Sequence, residues 1–348
     1  MNGAQGPSWA RLMLRRAATF VVTLSLTFLG LTAVTFFISR LTRIDPVLAV
    51  VGDKASKEVY DKTFVAMGLD KPLVVQYAAY VKRLLSGDFG VSVLTSHPVL
   101  TDLLHVFPAT FELATIATII GVAIGVPVGV VAGAQHGRWP DHAVRVVGLF
   151  GYSVPVFWLG LTGLFLFYGK LGWVSGTGRL DVAFDDIVTS RTGVILIDAA
   201  IEGEWEIFWN AVSHLILPAS ILGYYSLAYI ARMTRSFMID QLSQEYIIAA
   251  RIKGRSFWGA VWMHAFPNIM VPLITVVGLS YASLLEGAVL TETVFAWPGL
   301  GLYITRALFN SDLNAVLGGT IMVGAVFIGV NLFCDFLYKV FDPRLRSA

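Results

Sequence analysis

Charged side chains are scarce in this sequence. Asp, Glu, Lys and Arg make up 14% of its 348 residues, where ordinary soluble domains carry roughly a quarter. So few charges cover a water-facing surface poorly, whereas lipid accepts apolar side chains. The net charge is only +2, which provides no basic field for a nucleic acid. The single cysteine, Cys334, sits inside an apolar run. No disulfide within one chain and no cysteine-based metal site can form, and Cys334 reads as a small apolar helix residue. No Gly-x-x-x-x-Gly-Lys-Ser/Thr occurs, since Gly169-Lys170 is followed by Leu171. Nothing here cradles ATP phosphates by that route. No Gly-x-Ser-x-Gly surrounds a serine, and His97, His105, His136, His142, His214 and His264 fall in loops or at span ends. That argues against an intramembrane hydrolase, for example one built on Ser153.

What the chain has instead is apolar sequence, 56% of all residues. A helix needs about 20 mostly apolar residues to cross a bilayer. Six stretches qualify: 17–39, 110–134, 143–168, 215–231, 269–291 and 315–338. The runs are continuous rather than alternating, which favours helices over a barrel. Arg11, Arg15 and Arg16 precede the first run in the manner of a secretory signal. Its length exceeds the roughly 7–15 residues of a signal core, so it is expected to be retained as a helix.

Lys and Arg in short flanking segments set the expected orientation. One side collects Arg11, Arg15, Arg16, Arg138, Arg145, Arg232, Arg235, Arg251, Lys253, Arg255, Lys339, Arg344 and Arg346. On the other side, the 169–214 segment sets Lys170, Arg179 and Arg191 against seven carboxylates. The first side is therefore expected to be cytoplasmic, with both termini on it. The expected organisation is an N-terminal segment 1–16, a first span 17–39 and an outer segment 40–109. A membrane domain 110–338 follows, with an outer insert 169–214 and an inner loop 232–268, and then a C-terminal segment 339–348.

The inner loop contains Ser243-Gln-Glu-Tyr-Ile-Ile-Ala-Ala-Arg-Ile-Lys-Gly254. Ser243 is the expected N-cap and Glu245 favours the first turn. Arg251 and Lys253 suit the last turn, and Gly254 the left-handed position after it. Ala249 and Ala250 keep part of the surface small, and Tyr246 and Ile247 are candidate anchors. Two readings are open: a short lever that transmits a push from a partner, or an amphipathic helix lying on lipid headgroups.

This loop resembles the EAA loop of ABC-importer permeases in its dipeptide and oligopeptide form. The matching residues are Glu245-Tyr246-Ile247 and Ala250-Arg251-Ile252-Lys253-Gly254, followed by His264-Ala265-Phe266-Pro267-Asn268 and Pro272. Ile248 stands where the general pattern has Glu. Further resemblances run along the chain. They include Leu69-Asp70-Lys71-Pro72, Gly87-Asp88-Phe89-Gly90-Val91-Ser92 and Gly151-Tyr152-Ser153-Val154-Pro155. Arg232-Met233-Thr234-Arg235-Ser236 and Thr291-Glu292-Thr293-Val294-Phe295-Ala296-Trp297-Pro298-Gly299-Leu300-Gly301 belong with them. The stretch from Arg191-Thr192-Gly193 to Ile201 is similar to the B-subunit branch of dipeptide permeases in particular. At Arg43-Ile44-Asp45-Pro46 the family usually has Gly before Asp-Pro.

The resemblance implies an all-α integral membrane fold of the type I importer kind, with six transmembrane helices and periplasmic segments after the first and third. It implies a non-catalytic pore subunit in the bacterial inner membrane, paired with a homologous second permease. It also implies two ATP-binding subunits that hold ATP-Mg, and a periplasmic solute-binding protein that delivers the peptide. No cofactor is expected in this chain. The implied coupling residues are Glu245, Tyr246, Ala249, Ala250, Arg251, Lys253 and Gly254. Haem, glutathione and nickel chelates are alternative cargoes. An ion-coupled secondary transporter is the alternative of a different class, though no inverted repeat or broken helix stands out.

Glu286 lies in the fifth apolar run, where such permeases usually have a small residue. A carboxylate at a helix centre costs roughly 2.5–3.5 kcal/mol on insertion scales. It either faces the pathway and attracts cationic peptide groups, or it pairs with a partner or lies near the outer interface. Glu112 is expected at the start of the second span, capped by Thr110 and favoured by the helix dipole. Gly121, Gly125, Gly129 and Gly133 permit close helix approach in that span.

Overall fold

The computed structural model describes residues 9–41, 45–52, 54–185 and 187–341. The first helices are α1 (Trp9–Leu41), α2 (Pro46–Val51), α3 (Lys57–Ala66), α4 (Leu73–Leu85) and α5 (Val99–Ala134). Then come α6 (Trp139–Ser153), α7 (Val156–Gly163) with a π-helical extension Leu164–Lys170, α8 (Ile195–Glu202) and α9 (Trp205–Leu242). Next are α10 (Glu245–Ile252), α11 (Phe257–Ala260), a π-helical turn Val261–Ala265 and α12 (Phe266–Val294). The series closes with α13 (Leu300–Phe309) and α14 (Leu313–Phe341). Among the described residues no strand forms, only one isolated bridge between Val91 and Pro98.

Among the described residues five helical stretches are long and apolar enough to cross a membrane: Val21–Ile38, Val99–Ala134, Trp205–Leu242, Phe257–Leu285 and Leu313–Leu337. A sixth is broken. Trp139–Gly151 and Val156–Lys170 meet at 93°, where the sequence predicts one continuous span over 143–168. Pro155 is the cause. It has no N–H to give to a helix and forces Val154 out of helical geometry (φ −95°, ψ 125°). A broken helix is thus present after all.

The chain forms two compact units, residues 1–102 with 307–324, and 103–306 with 325–348. In the first, α4 docks on α1 through aromatic rings. Tyr77 and Tyr80 each lie 5.5 Å from Phe36, centroid to centroid. The Tyr77 hydroxyl donates to the Leu29 carbonyl at 2.8 Å. Asp45 caps α2 by accepting from Val47 N at 2.8 Å, with Pro46 at the first helical position, where no N–H is needed. Asp312, fully buried, accepts from Ser92 Oγ (2.6 Å), Leu94 N (3.1 Å) and Ala315 N (3.1 Å). It thereby pins the start of α14.

In the second unit, α5 and α9 touch backbone to backbone. A Cβ at Gly129 would sit 2.6 Å from Ala231 O, and one at Gly133 would sit 2.6 Å from Met238 Cβ. Only glycine permits that approach. The main core joins Leu113 and Ala117 of α5 to Leu222 of α9, Leu284 and Ala288 of α12, and Trp297. A second core gathers Val126, Val130, Ile230, Met238, Ile247, Val261 and Ile269. Cys334 is buried and unpaired, and a Cβ at Gly278 would overlap its sulfur.

Candidate functional site

The connector after α9 begins at Ser243 and Gln244. Ser243 does not cap α10. Its hydroxyl donates back to the Asp240 carbonyl at 2.8 Å, so it closes α9 instead. Gln244 takes the N-cap position in extended geometry without a side-chain bond. The reason is that α9 runs on to Leu242, past the expected end of its span, and the serine falls within reach of the last carbonyls of that helix.

One side of α10 is tied down. Ile247 is 4% exposed and sits in the second core. The Tyr246 hydroxyl donates to Gln241 Oε1 at 2.8 Å and accepts from Asn268 Nδ2 at 3.1 Å. Tyr246 thus bridges the end of α9 and the start of α12. The Arg251 guanidinium lies 5.6 Å over the Phe257 ring, a cation–π contact that holds the end of α10 to α11. Gly254 has φ +90°. Gly254 N donates to Arg251 O at 3.0 Å and Arg255 N to Ala250 O at 3.2 Å, closing the helix as expected.

The other side is open. Glu245, Ile248, Ala249 and Ile252 are exposed at helical spacing. Ile248 is 55% and Ile252 80% exposed. Lys253 and Gly254 are exposed in the closing turn, while Ala250 is half-buried. The site residues therefore divide. Tyr246 and Arg251 anchor, Glu245 and Ala249 face outward, and Lys253 and Gly254 form the turn. Sequence reasoning does not single out Ile248 and Ile252 as an outward pair. The signal that marks them is the i, i+4 spacing of two isoleucines in a charged loop.

Behind the connector lies a charge clamp that the sequence also conceals. Asp141 of α6 is fully buried. It accepts from Arg235 Nε of α9, from Gly137 N at 2.9 Å, and meets His136 Nδ1 at 3.0 Å and Arg145 Nε at 3.8 Å. Arg145 and Arg235, which the positive-charge rule sets on one membrane side, share this carboxylate.

The Thr291–Gly301 motif builds a different lock. Glu292 is fully buried. It accepts from Thr110 Oγ1 at 2.6 Å and from Leu302 N at 3.0 Å. Thr110 also accepts from Leu300 N at 2.7 Å, and Trp297 Nε1 donates to Ala109 O at 2.9 Å. A Cβ at Gly299 would overlap the Glu292 carboxyl, which is why glycine stands there. The expected capping roles of Thr110 and Glu112 do not hold, because α5 begins at Val99 and both lie well inside it. Glu112 accepts from Arg179 Nε at 3.0 Å and from Leu196 N, at the start of α8, at 3.1 Å. It thereby fastens the 169–214 insert to α5.

Glu286 lies on α12, but its side chain lies outside the described residues. Its neighbour Leu285 borders an apolar cavity of about 720 Å³, together with Phe111 and Val122 of α5 and Val330 of α14. The neighbour on the other side, Gly287, borders a second cavity of about 270 Å³ that contains Ser226, Ser280 and Ser283. Among the described residues no three His, Cys, Asp or Glu side chains form a group able to hold a metal ion.

Residues 125–347 match the model of the "binding-protein-dependent transport system inner membrane component" family, and residues 9–114 match its N-terminal companion. The chain is 45% identical to a probable D,D-dipeptide transport system permease protein of Escherichia coli, covering 91% of this chain and 93% of that one. It is 42% identical to a di/tripeptide transport system permease protein of Pseudomonas aeruginosa, over 92% and 95% of the two chains. It is 41% identical to the dipeptide transport system permease protein of E. coli, also over 92% and 95%. A solved methionine ABC transporter in an inward-facing conformation has a TM-score of 0.49 at 16% identity, covering 67% of this chain and 93% of that one.

Proposed function

This chain belongs to the family of inner-membrane components of binding-protein-dependent transport systems, and from that premise we propose how it works and what it carries. It is a multi-pass permease subunit of a peptide importer. Its cargo is a dipeptide or short oligopeptide, handed over by a soluble binding protein. The names of its relatives favour that cargo over haem, glutathione or nickel chelates. It pairs with a homologous permease, and ATP-Mg is hydrolysed in two separate subunits. The 40–109 and 169–214 segments face the binding protein. Both termini and the 232–268 loop lie on the cytoplasmic side, following the Lys and Arg distribution.

The observation that carries the coupling assignment is the two-sided character of α10. Ile247, Tyr246 and Arg251 fix it to α9, α11 and α12, while Ile248 and Ile252 stand in the open. Burying an isoleucine side chain is worth about 1.5–3 kcal/mol, so this face gains free energy when a partner covers it. An ATPase subunit seated there would move α10, and with it α9 and α12. The chain's own apolar core makes that push rigid rather than local.

The test is Ile248→Asp with Ile252→Asp, made in the assembled transporter. The chain should insert normally, yet ATPase subunits should no longer co-purify with it and uptake of a labelled dipeptide should stop. Full uptake by the double variant would remove α10 from the mechanism. We further assign Glu286 to the pathway, where its carboxylate attracts the amino group or cationic side chain of the peptide. It is flanked by residues that border the cavities on α12.

A further inference from the structure

We propose that the first unit holds a binding site for the phosphodiester headgroup of an anionic phospholipid. A cavity of about 340 Å³ there is lined by Arg40, Lys71 and Arg83, with Asp88 the only acidic lining residue among those described. One oxygen of Asp88, Oδ1, accepts from Gly90 N at 2.9 Å. Among the described residues none of the three cations stands in an ion pair. Arg40 and Arg83 are close enough for the charge of one to act on the other. The Arg40 guanidinium packs 5.1 Å over the Phe36 ring, and its Nε is buried without a hydrogen-bond partner. Like charges held together at a half-buried site repel, and a bound anion offsets that cost. The cavity also holds an acceptor. Gln76 Nε2 donates to the carbonyls of Leu69 (3.1 Å) and Lys71 (2.8 Å), which fixes the amide and leaves Oε1 buried and unpartnered. A headgroup hydroxyl beside the phosphate, as in phosphatidylglycerol, satisfies it.

Depth in the membrane selects a lipid over free phosphate. Arg40 stands two residues past the apolar stretch Val21–Ile38 of α1, and Leu313 and Leu317, also in the lining, lie at the start of the apolar stretch of α14. The cavity thus sits where two spans leave the hydrocarbon, which is headgroup depth. Leu41 (84% exposed), Val74 (76%) and Leu85 (74%) stand open in the same unit. α4 carries the exposed Val74 and Leu85 together with Lys82 and Arg83 in its last turn, the composition of a helix suited to the membrane interface.

The experiment uses the purified full chain and native mass spectrometry, with phosphatidylglycerol or phosphatidylcholine added. The chain should retain phosphatidylglycerol preferentially. Arg40→Gln, Arg83→Gln and Lys71→Gln should each weaken that retention roughly fivefold, the worth of one cation at an anionic lipid surface. Lys71 and Arg83 are exposed, so their variants keep the test valid should Arg40→Gln fold poorly. Lys62→Gln, outside the cavity and paired with Glu58 at 2.7 Å, should change nothing. Equal retention of the two lipids, or equal loss in Lys62→Gln, would overturn the proposal. Displacement of the lipid by millimolar inorganic phosphate would overturn the lipid as the source.

Discussion

Around Trp297 the chain satisfies nearly all of its own polar groups, while on α10 it leaves Ile248 and Ile252 in the open. Glu292, Thr110 and the Trp297 indole all find partners within the protein, and Glu112 finds Arg179 and the start of α8. Thr291 Oγ1, buried without a hydrogen-bond partner, is the exception there among the described residues. On α10, Ile248 and Ile252 are exposed although the helix is well anchored on its other side. A monomeric surface has little reason to display two large aliphatic side chains one turn apart. The first region is largely self-contained, and the second turns two isoleucines to its surroundings. Substitutions in the two regions should therefore fail in different ways, by loss of fold in one and loss of coupling in the other.

The largest effect is expected at the clamp behind α10. Arg235→Leu strips the buried Asp141 of the nearer of its two guanidinium partners and should cost about 1.5–3 kcal/mol, read as early loss of monodisperse protein on heating in detergent. An unchanged melting profile would show that the charges in this unit are not structural. Gly254→Val comes next. Its φ of +90° strains any residue with a Cβ by about 1–2 kcal/mol. Uptake should vanish while the chain still inserts, since a Cβ there meets no neighbouring atom. Uptake at the parent rate would mean that the closing turn does not shape the coupling face. Glu286→Gln should leave the fold intact and lower uptake of cationic dipeptides roughly fivefold relative to neutral ones, the scale of one unscreened charge pair in a polar channel. Equal losses for both peptide types would take Glu286 out of the pathway.

The smallest effect belongs to Asp45. The Tyr60 hydroxyl, at 2.8 Å, and the Val47 and Leu48 N–H groups hold its carboxyl below the usual carboxylate range. A depressed folded-state value stabilises above the unfolded value near 4 and is lost as pH falls through the folded one. Tyr60→Phe should therefore weaken the parent chain slightly at pH 6–7, and the difference between the two should fade below about pH 4. A difference that grows on acidification would contradict this assignment.

The spans are readable in the sequence because a continuous apolar run of about 20 residues suits little besides a bilayer crossing. Their true lengths are not. Residues 99–109 and 205–214 carry polar side chains that end an apolar window, yet they continue α5 and α9 as helix. Pro155 is visible, but the bend it makes depends on how α6 and α7 pack on either side of it. In the connector, the left-handed Gly254 follows from glycine chemistry alone. Ser243 instead turns back to α9, a helix that outruns its apolar window. The Glu112–Arg179 and Thr110–Glu292 contacts join residues 67 and 182 positions apart. No local pattern reports such pairs. Asp141 looks like a helix-start carboxylate, and only the fold brings Arg235 to it.

Hydrogen exchange over residues 245–252 decides whether α10 is a seat for another subunit. The chain would be measured in lipid nanodiscs, alone and again with its ATP-binding subunits. Fast exchange is expected at Ile248 and Ile252 in the isolated chain, with strong protection once the ATPase subunits are added. Equal protection in lipid alone, unchanged by those subunits, would mean that α10 rests on the bilayer and transmits nothing.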